Sequence, residues 1–229
     1  SIITMKCVLV SAHGENVDDL LSMSSADHPV PVRKGGEVLI KVRACALAPG
    51  DIRVMKGHCD YFQSPRAGFP YIPGGDLSGM VEEADEGSKF KKGDAVIAMF
   101  EIPRPLDGLA EFACAQEKLV EFAPTTVSMA EAACLTSSAL CAFNAAKQYV
   151  KRNSRVLILG CGGGVGTFLV QLSKHEGASY ICATSTDRQL LHKLGADKII
   201  DYKHENWWDV PEFKTEPFDV IFDLGVGKR

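Results

Sequence analysis

The sequence predicts a β-rich domain followed by an α/β domain built as a doubly wound parallel sheet. Three observations predict this. Turn residues interrupt roughly the first 125 positions too often for helices, strand-like and helix-like segments alternate from Arg155 onward, and a glycine-rich turn joins the first of those strands to its helix. At 229 residues the chain has room for one or two domains, and 46% hydrophobic residues can fill a core.

In the front half, Lys34-Gly35-Gly36 leads into Glu37 to Ala44, whose alternating charged and apolar residues suit a half-buried strand. Turn signals follow at Ala48-Pro49-Gly50-Asp51, Ile72-Pro73-Gly74-Gly75 and Lys92-Gly93-Asp94. The last introduces an apolar strand, Ala95 to Phe100. The expected first domain is residues 1–125.

Composition changes at Pro124, so residues 126–229 form the expected second domain. Ser128-Met129-Ala130-Glu131 has the form of a capping box, and the Ala-rich stretch through Ala146 favours helix. Arg155 to Leu159 is a continuous apolar run, as in a strand covered on both faces. Helix Val165 to His175, strand Ser179 to Ala183, helix Asp187 to Leu194, strand Lys198 to Ile200 and strand Phe218 to Phe222 then alternate. Trp207 and Trp208 read as packing residues.

Composition narrows the function classes. Lys and Arg total 25 against 29 Asp and Glu, interspersed, and the net charge of −4 gives no footprint for nucleic acid. No apolar run approaches the roughly 20 residues of a membrane span. The start, SIITMKCVLV, lacks the pattern of a secretory signal. Eight cysteines without a CxxC pair read as reduced core thiols, which points to the cytoplasm and equally suits the mitochondrial matrix.

The segment Gly160-Cys161-Gly162-Gly163-Gly164-Val165-Gly166 fails the strict GxGxxG spacing but satisfies GxxGxxG through Gly160, Gly163 and Gly166. Glycines there let the backbone turn tightly and approach a pyrophosphate, while the N–H groups of the following helix attract the anion. A purely structural turn is the alternative. The preceding strand and following helix supply the context a dinucleotide site needs. The second strand ends Cys182-Ala183-Thr184-Ser185-Thr186 with no carboxylate before Asp187, so hydroxyls together with Arg188 favour NADPH over NADH. Ser185 and Thr186 also suit an ordinary helix N-cap.

These residues carry a resemblance. The β-rich front half, PGGDLSGMV at Pro73 to Val81, VLILGCGGGVGTFLVQL, and LGADKIIDY at Leu194 to Tyr202 resemble the medium-chain dehydrogenase/reductase superfamily. Within it, the chain is most similar to the zinc-independent quinone oxidoreductase branch, including the reticulon-4-interacting-protein group. The resemblance implies a GroES-like catalytic domain, a Rossmann domain and an active site in the cleft between them. It implies that Gly162, Gly164 and Val165, with Gly163 of the glycine spacing, lie on the pyrophosphate. Thr184, Ser185 and Arg188 would meet the 2′-phosphate of NADP(H), and Tyr202 the adenosine end. Cys141 stands where relatives often have a threonine near the nicotinamide, but a small core cysteine is the favoured reading. Asp51 and Arg53 would sit at the substrate cleft, with an Asx-type turn cap as the alternative for Asp51.

Zinc-dependent relatives place a cysteine ligand and a GHE histidine where this chain has Ala48-Pro49-Gly50-Asp51 and Gly74-Gly75-Asp76, so no metal is expected. The neighbouring pair His58 and Cys59 reads as non-ligating. The chemistry the resemblance implies is hydride delivery from NADPH to a quinone or an α,β-unsaturated carbonyl. The branch commonly has an asparagine at the position of Ala48 and a tyrosine near that of Arg53; both are replaced here, and no residue stands out as catalytic proton donor. An enoyl-thioester reductase and a non-catalytic NADPH-binding or interaction protein are the alternatives. The Rossmann sheet of relatives continues past its fourth strand, so the chain reads as a truncated form. Its fourth strand is expected at an open edge, and homodimerisation is expected of the full-length form.

Overall fold

The computed structural model describes residues 3–24, 27–58, 68–99 and 107–225. The chain divides into two compact units, Ser1–Ser137 and Ser138–Arg229.

The first unit contains strands β1 (Thr4–Met5), β2 (Val8–Val10), β3 (Leu21–Met23), β4 (His28–Pro29) and β5 (Glu37–Ala46), followed by helix α1 (Pro49–Lys56). Strands β6 (Asp76–Glu83), β7 (Ala95–Met99), β8 (Phe112–Gln116) and β9 (Val120–Phe122) follow, then helix α2 (Met129–Ala133). Five strands form an antiparallel sheet in the order β8-β5-β6-β7-β9, while β1 pairs with β4 and β2 with β3. Alternation buries one residue set: Val38, Ile40, Leu77, Val81, Val96, Ala98, Ala113 and Ala115 share a core with Phe90 and Val120.

The second unit holds α3 (Leu140–Tyr149), β10 (Arg155–Leu159), α4 (Gly164–His175), β11 (Tyr180–Thr184), α5 (Arg188–Leu194), β12 (Lys198–Ile200), α6 (Glu212–Thr215) and β13 (Val220–Asp223). Its four strands are parallel, in the order β12-β11-β10-β13. Both faces are covered. Val156, Ile158, Ile181 and Ala183 pack with Ala142 and Ala146 of α3, Leu169 and Val170 of α4 and Leu191 of α5. Leu157, Cys182 and Ile200 point the other way, toward Phe213, Trp207 and Phe218. That double covering explains the uninterrupted apolar run of β10.

The expected order of elements is present, with several corrections. The division falls after Ser137 and not near residue 125, because α2 packs on β5 and β6. Ser78 Oγ donates to the Met129 carbonyl at 2.6 Å and Ser137 Oγ donates to Asp76 Oδ1 at 2.6 Å, fixing that attachment. Ala48-Pro49-Gly50-Asp51 opens α1, since Pro49 occupies the first helical turn, where its missing N–H costs nothing. The Ala-rich stretch is α2, a π-helical segment Leu135–Ala139 and α3 in succession. The N-cap of α5 is Asp187, whose carboxylate accepts from Leu190 N at 2.9 Å, and neither Ser185 nor Thr186. Among the described residues β13 lies at a sheet edge, with Ile221 exposed. Cys59 and Phe100 lie outside the described residues.

Candidate nucleotide-binding site

Strand β10 ends at Leu159 and α4 begins at Gly164, with Gly160 to Gly163 making the turn. Gly160 sits at φ +85°, a left-handed conformation that favours glycine. Its N–H donates to Thr184 Oγ1 at 2.9 Å, and the Cys161 N–H donates to the Thr184 carbonyl at 3.0 Å. One residue at the end of β11 therefore holds the turn twice. The Cys161 side chain is buried beneath it, and burial pushes its thiol up to about 12, so it stays protonated near neutrality.

The glycines of the turn do different work. A Cβ on Gly166 would lie 2.5 Å from Cys161 Cα, so this glycine lets helix and turn touch. A Cβ on Gly164 would meet Ser138 Oγ at 2.8 Å, and one on Gly162 would meet Ser185 Oγ at 3.2 Å. At Gly163, the N-cap, a Cβ would meet nothing within 4 Å. The open space thus lies where a ligand on the first turn of α4 would sit. Among the described residues no side chain caps that turn, and the first helical bond in this segment runs from Thr167 N to the Gly163 carbonyl at 3.0 Å. The amides of Gly164, Val165 and Gly166 are the orphan donors of a twelve-residue helix with its positive dipole end at the turn.

The residues expected around a 2′-phosphate separate into two groups. Thr184 and Ser185 are each only 4% exposed; Thr184 Oγ1 accepts from Gly160, and Ser185 Oγ accepts from Asp187 N at 3.1 Å. Thr184 braces the glycine turn, and Ser185 holds the start of α5. Arg188 and Tyr202 are exposed, Arg188 on the first turn of α5 and Tyr202 in the turn after β12. Arg188 donates to the Ile199 carbonyl and to Glu205 Oε1, each at 3.0 Å.

Within the first unit, Asp51 is the third residue of α1, and its Oδ2 accepts the Ala48 N–H at 2.7 Å. This bond runs back to the residue before α1, whereas the Asx-type turn expected as the alternative would bond forward. Burial raises its pKa, opposed by that hydrogen bond, and the charge of Asp76 raises it further. Arg53 is exposed on α1. Tyr71 is buried with no hydrogen-bond partner for its hydroxyl among the described residues, and burial followed by the Asp51 charge pushes it up to about 12. Cys141 is exposed on α3, which overturns the favoured reading of it as a core cysteine. His58 pairs with Glu15 at 2.7 Å. Sequence reasoning missed Thr184 as the brace of the turn, Ser138 against Gly164, and Glu205 beside Arg188. No local spacing announces such contacts, because each partner comes from a separate element.

The alcohol dehydrogenase GroES-like domain matches residues 34–171, more than half of the chain. A 2-methylene-furan-3-one reductase of Solanum lycopersicum is 37% identical over 222 residues, covering 92% of this chain and 55% of that protein. An NADPH-dependent alkenal/one oxidoreductase, chloroplastic, of Arabidopsis thaliana is 36% identical over 90% of this chain and 54% of its own length. The structure of the quinone oxidoreductase from Coxiella burnetii superposes with a TM-score of 0.80 at 29% identity, covering 89% of this chain and 64% of that one. The chain thus spans just over half the length of these two plant relatives.

Proposed function

Because this chain belongs to the alcohol dehydrogenase GroES-like family, in the quinone oxidoreductase branch of the medium-chain dehydrogenase/reductase superfamily, we propose that it serves NADPH-dependent reduction of quinones or α,β-unsaturated carbonyls without zinc. The observation that carries this reading is the turn from β10 to α4: uncapped amides, open space at Gly163, and glycines where a side chain would collide.

The residues fit a dinucleotide. The N–H groups of Gly164, Val165 and Gly166 would hold the diphosphate, and Gly162 and Gly163 leave room for its approach. Arg188 supplies the charge for a 2′-phosphate, and Tyr202 a ring surface for the adenosine end. Thr184 acts one step back, holding the turn in place, and Ser185 holds the start of α5 through Asp187 N. When bound, the reduced nicotinamide supplies hydride. The protein's contribution is to orient acceptor and cofactor and to keep water out. Asp51, Arg53 and Cys141 are each candidates for contact with the acceptor. A quinone or enone is electrophilic enough to need no Lewis acid, which agrees with Ala48 and Gly75 at the positions of metal ligands in zinc-dependent relatives.

Among the described residues no helix is long and apolar enough to cross a membrane. The cytoplasm or the mitochondrial matrix is the compartment we favour, with the chloroplastic name of the Arabidopsis relative making a plastid a third setting. Homodimerisation of a full-length form belongs to the same proposal.

The test is NADPH consumption, followed by the loss of its near-ultraviolet absorbance, with ortho-quinones, short enals and enoyl thioesters. Turnover with the first two supports the proposal. Turnover confined to enoyl thioesters selects the thioester-reductase alternative, and binding without turnover selects the non-catalytic one.

A further inference from the structure

We propose that Glu205 is a selectivity residue: its carboxylate competes with a nucleotide 2′-phosphate for the Arg188 guanidinium and so limits the preference for NADPH over NADH. The inference rests on the NADP(H) reading above. Arg188 is held from two sides. One terminal nitrogen donates to the Ile199 carbonyl at 3.0 Å, which ties the guanidinium to β12; the other donates to Glu205 Oε1 at 3.0 Å. Glu205 is itself placed by a closed turn, its N–H donating to the Asp201 carbonyl at 2.9 Å.

The two bonds have different consequences. The carbonyl orients the guanidinium without cancelling its charge, whereas the carboxylate cancels it. The side chains of Arg188 and Glu205 are 57% and 44% exposed, so water screens the pair and it is easily exchanged for another anion. A phosphate offers the same fork geometry with more charge. Asp187 contributes little to this competition, since its carboxylate caps α5 through Leu190 N. Glu205 is therefore the acidic group in direct contact with the one exposed cation among the residues expected near the 2′-phosphate.

The experiment is a calorimetric titration of the full 229-residue chain with 2′,5′-ADP and with 5′-AMP. Glu205→Gln is expected to tighten 2′,5′-ADP about threefold to tenfold and leave 5′-AMP within about twofold, as removal of one screened charge should. A purely structural effect on the turn would move both ligands together. In an Arg188→Gln background the same substitution should change neither affinity, as a double-mutant cycle requires of a residue acting through Arg188. An unchanged or lowered ratio of the two affinities in Glu205→Gln, or tightening that persists without Arg188, overturns the inference while the NADP(H) reading stands. Failure of the unmodified chain to bind either nucleotide overturns that reading, and this inference with it.

Discussion

Gly163 and Gly166 are three positions apart, yet they have opposite surroundings. A methyl on Gly166 would sit 2.5 Å from the Cys161 backbone, so Gly166→Ala must push α4 away from the turn and should cost about 2 kcal/mol or more in a denaturant titration. A methyl on Gly163 meets no protein atom within 4 Å, so Gly163→Ala should leave the melting temperature nearly unchanged and weaken NADPH about tenfold by filling the ligand's space. The GxxGxxG spacing was legible in the sequence; which glycine serves the fold and which serves the ligand was not, because that depends on what lies opposite each Cβ. Asp107 is a second residue the sequence did not flag. Burial pushes its carboxyl up to about 6, and its backbone is left-handed at φ 54°. Between about pH 4 and 6 the folded chain holds a proton that the unfolded chain has released, so stability falls as pH rises through this window and levels off above it. Asparagine tolerates the same backbone without the charge. Asp107→Asn should therefore raise stability at pH 7 by about 2 kcal/mol and flatten the pH dependence, measured by urea unfolding across the range.

At the scale of elements, local chemistry placed most strands and helices, and packing between elements accounts for the remainder. The capping box at Ser128 and Glu131 is present, with Glu131 Oε2 accepting the Ser128 N–H at 2.8 Å and Ser128 Oγ accepting the Glu131 N–H at 3.3 Å. Ser128→Ala should destabilise the first unit by about 1 kcal/mol, seen as a lower urea midpoint. The apolar run of β10 and the alternation of β5 were readable because each reports directly which faces are covered. Helix α1 was not, since Ala48-Pro49-Gly50-Asp51 has the residues of a turn, and only the placement of Asp51 on the Ala48 N–H turns them into a helix start. The same holds for α5, where Asp187 outcompetes two hydroxyl residues as the cap and Ser185 Oγ accepts the Asp187 N–H instead.

Over the whole molecule, each unit has its own buried clusters, among them one on the antiparallel sheet and one on either face of the parallel sheet. The proposed ligand contacts at the glycine turn and at Arg188 all belong to the second unit. Free NADPH at about 100 times its dissociation constant should stabilise the fold by about 2.7 kcal/mol. Fold class and glycine turn were both legible from residue order, whereas the pairing of Arg188 with Glu205 joins α5 to the turn after β12 and has no local signature. The central claim is that backbone amides at the start of α4 grip a diphosphate. Amide chemical shifts of the isotope-labelled chain, followed through a ligand titration, are the most direct test. Saturating NADPH should move the amides of Gly164, Val165 and Gly166 most; binding that leaves these three in place would contradict the assignment.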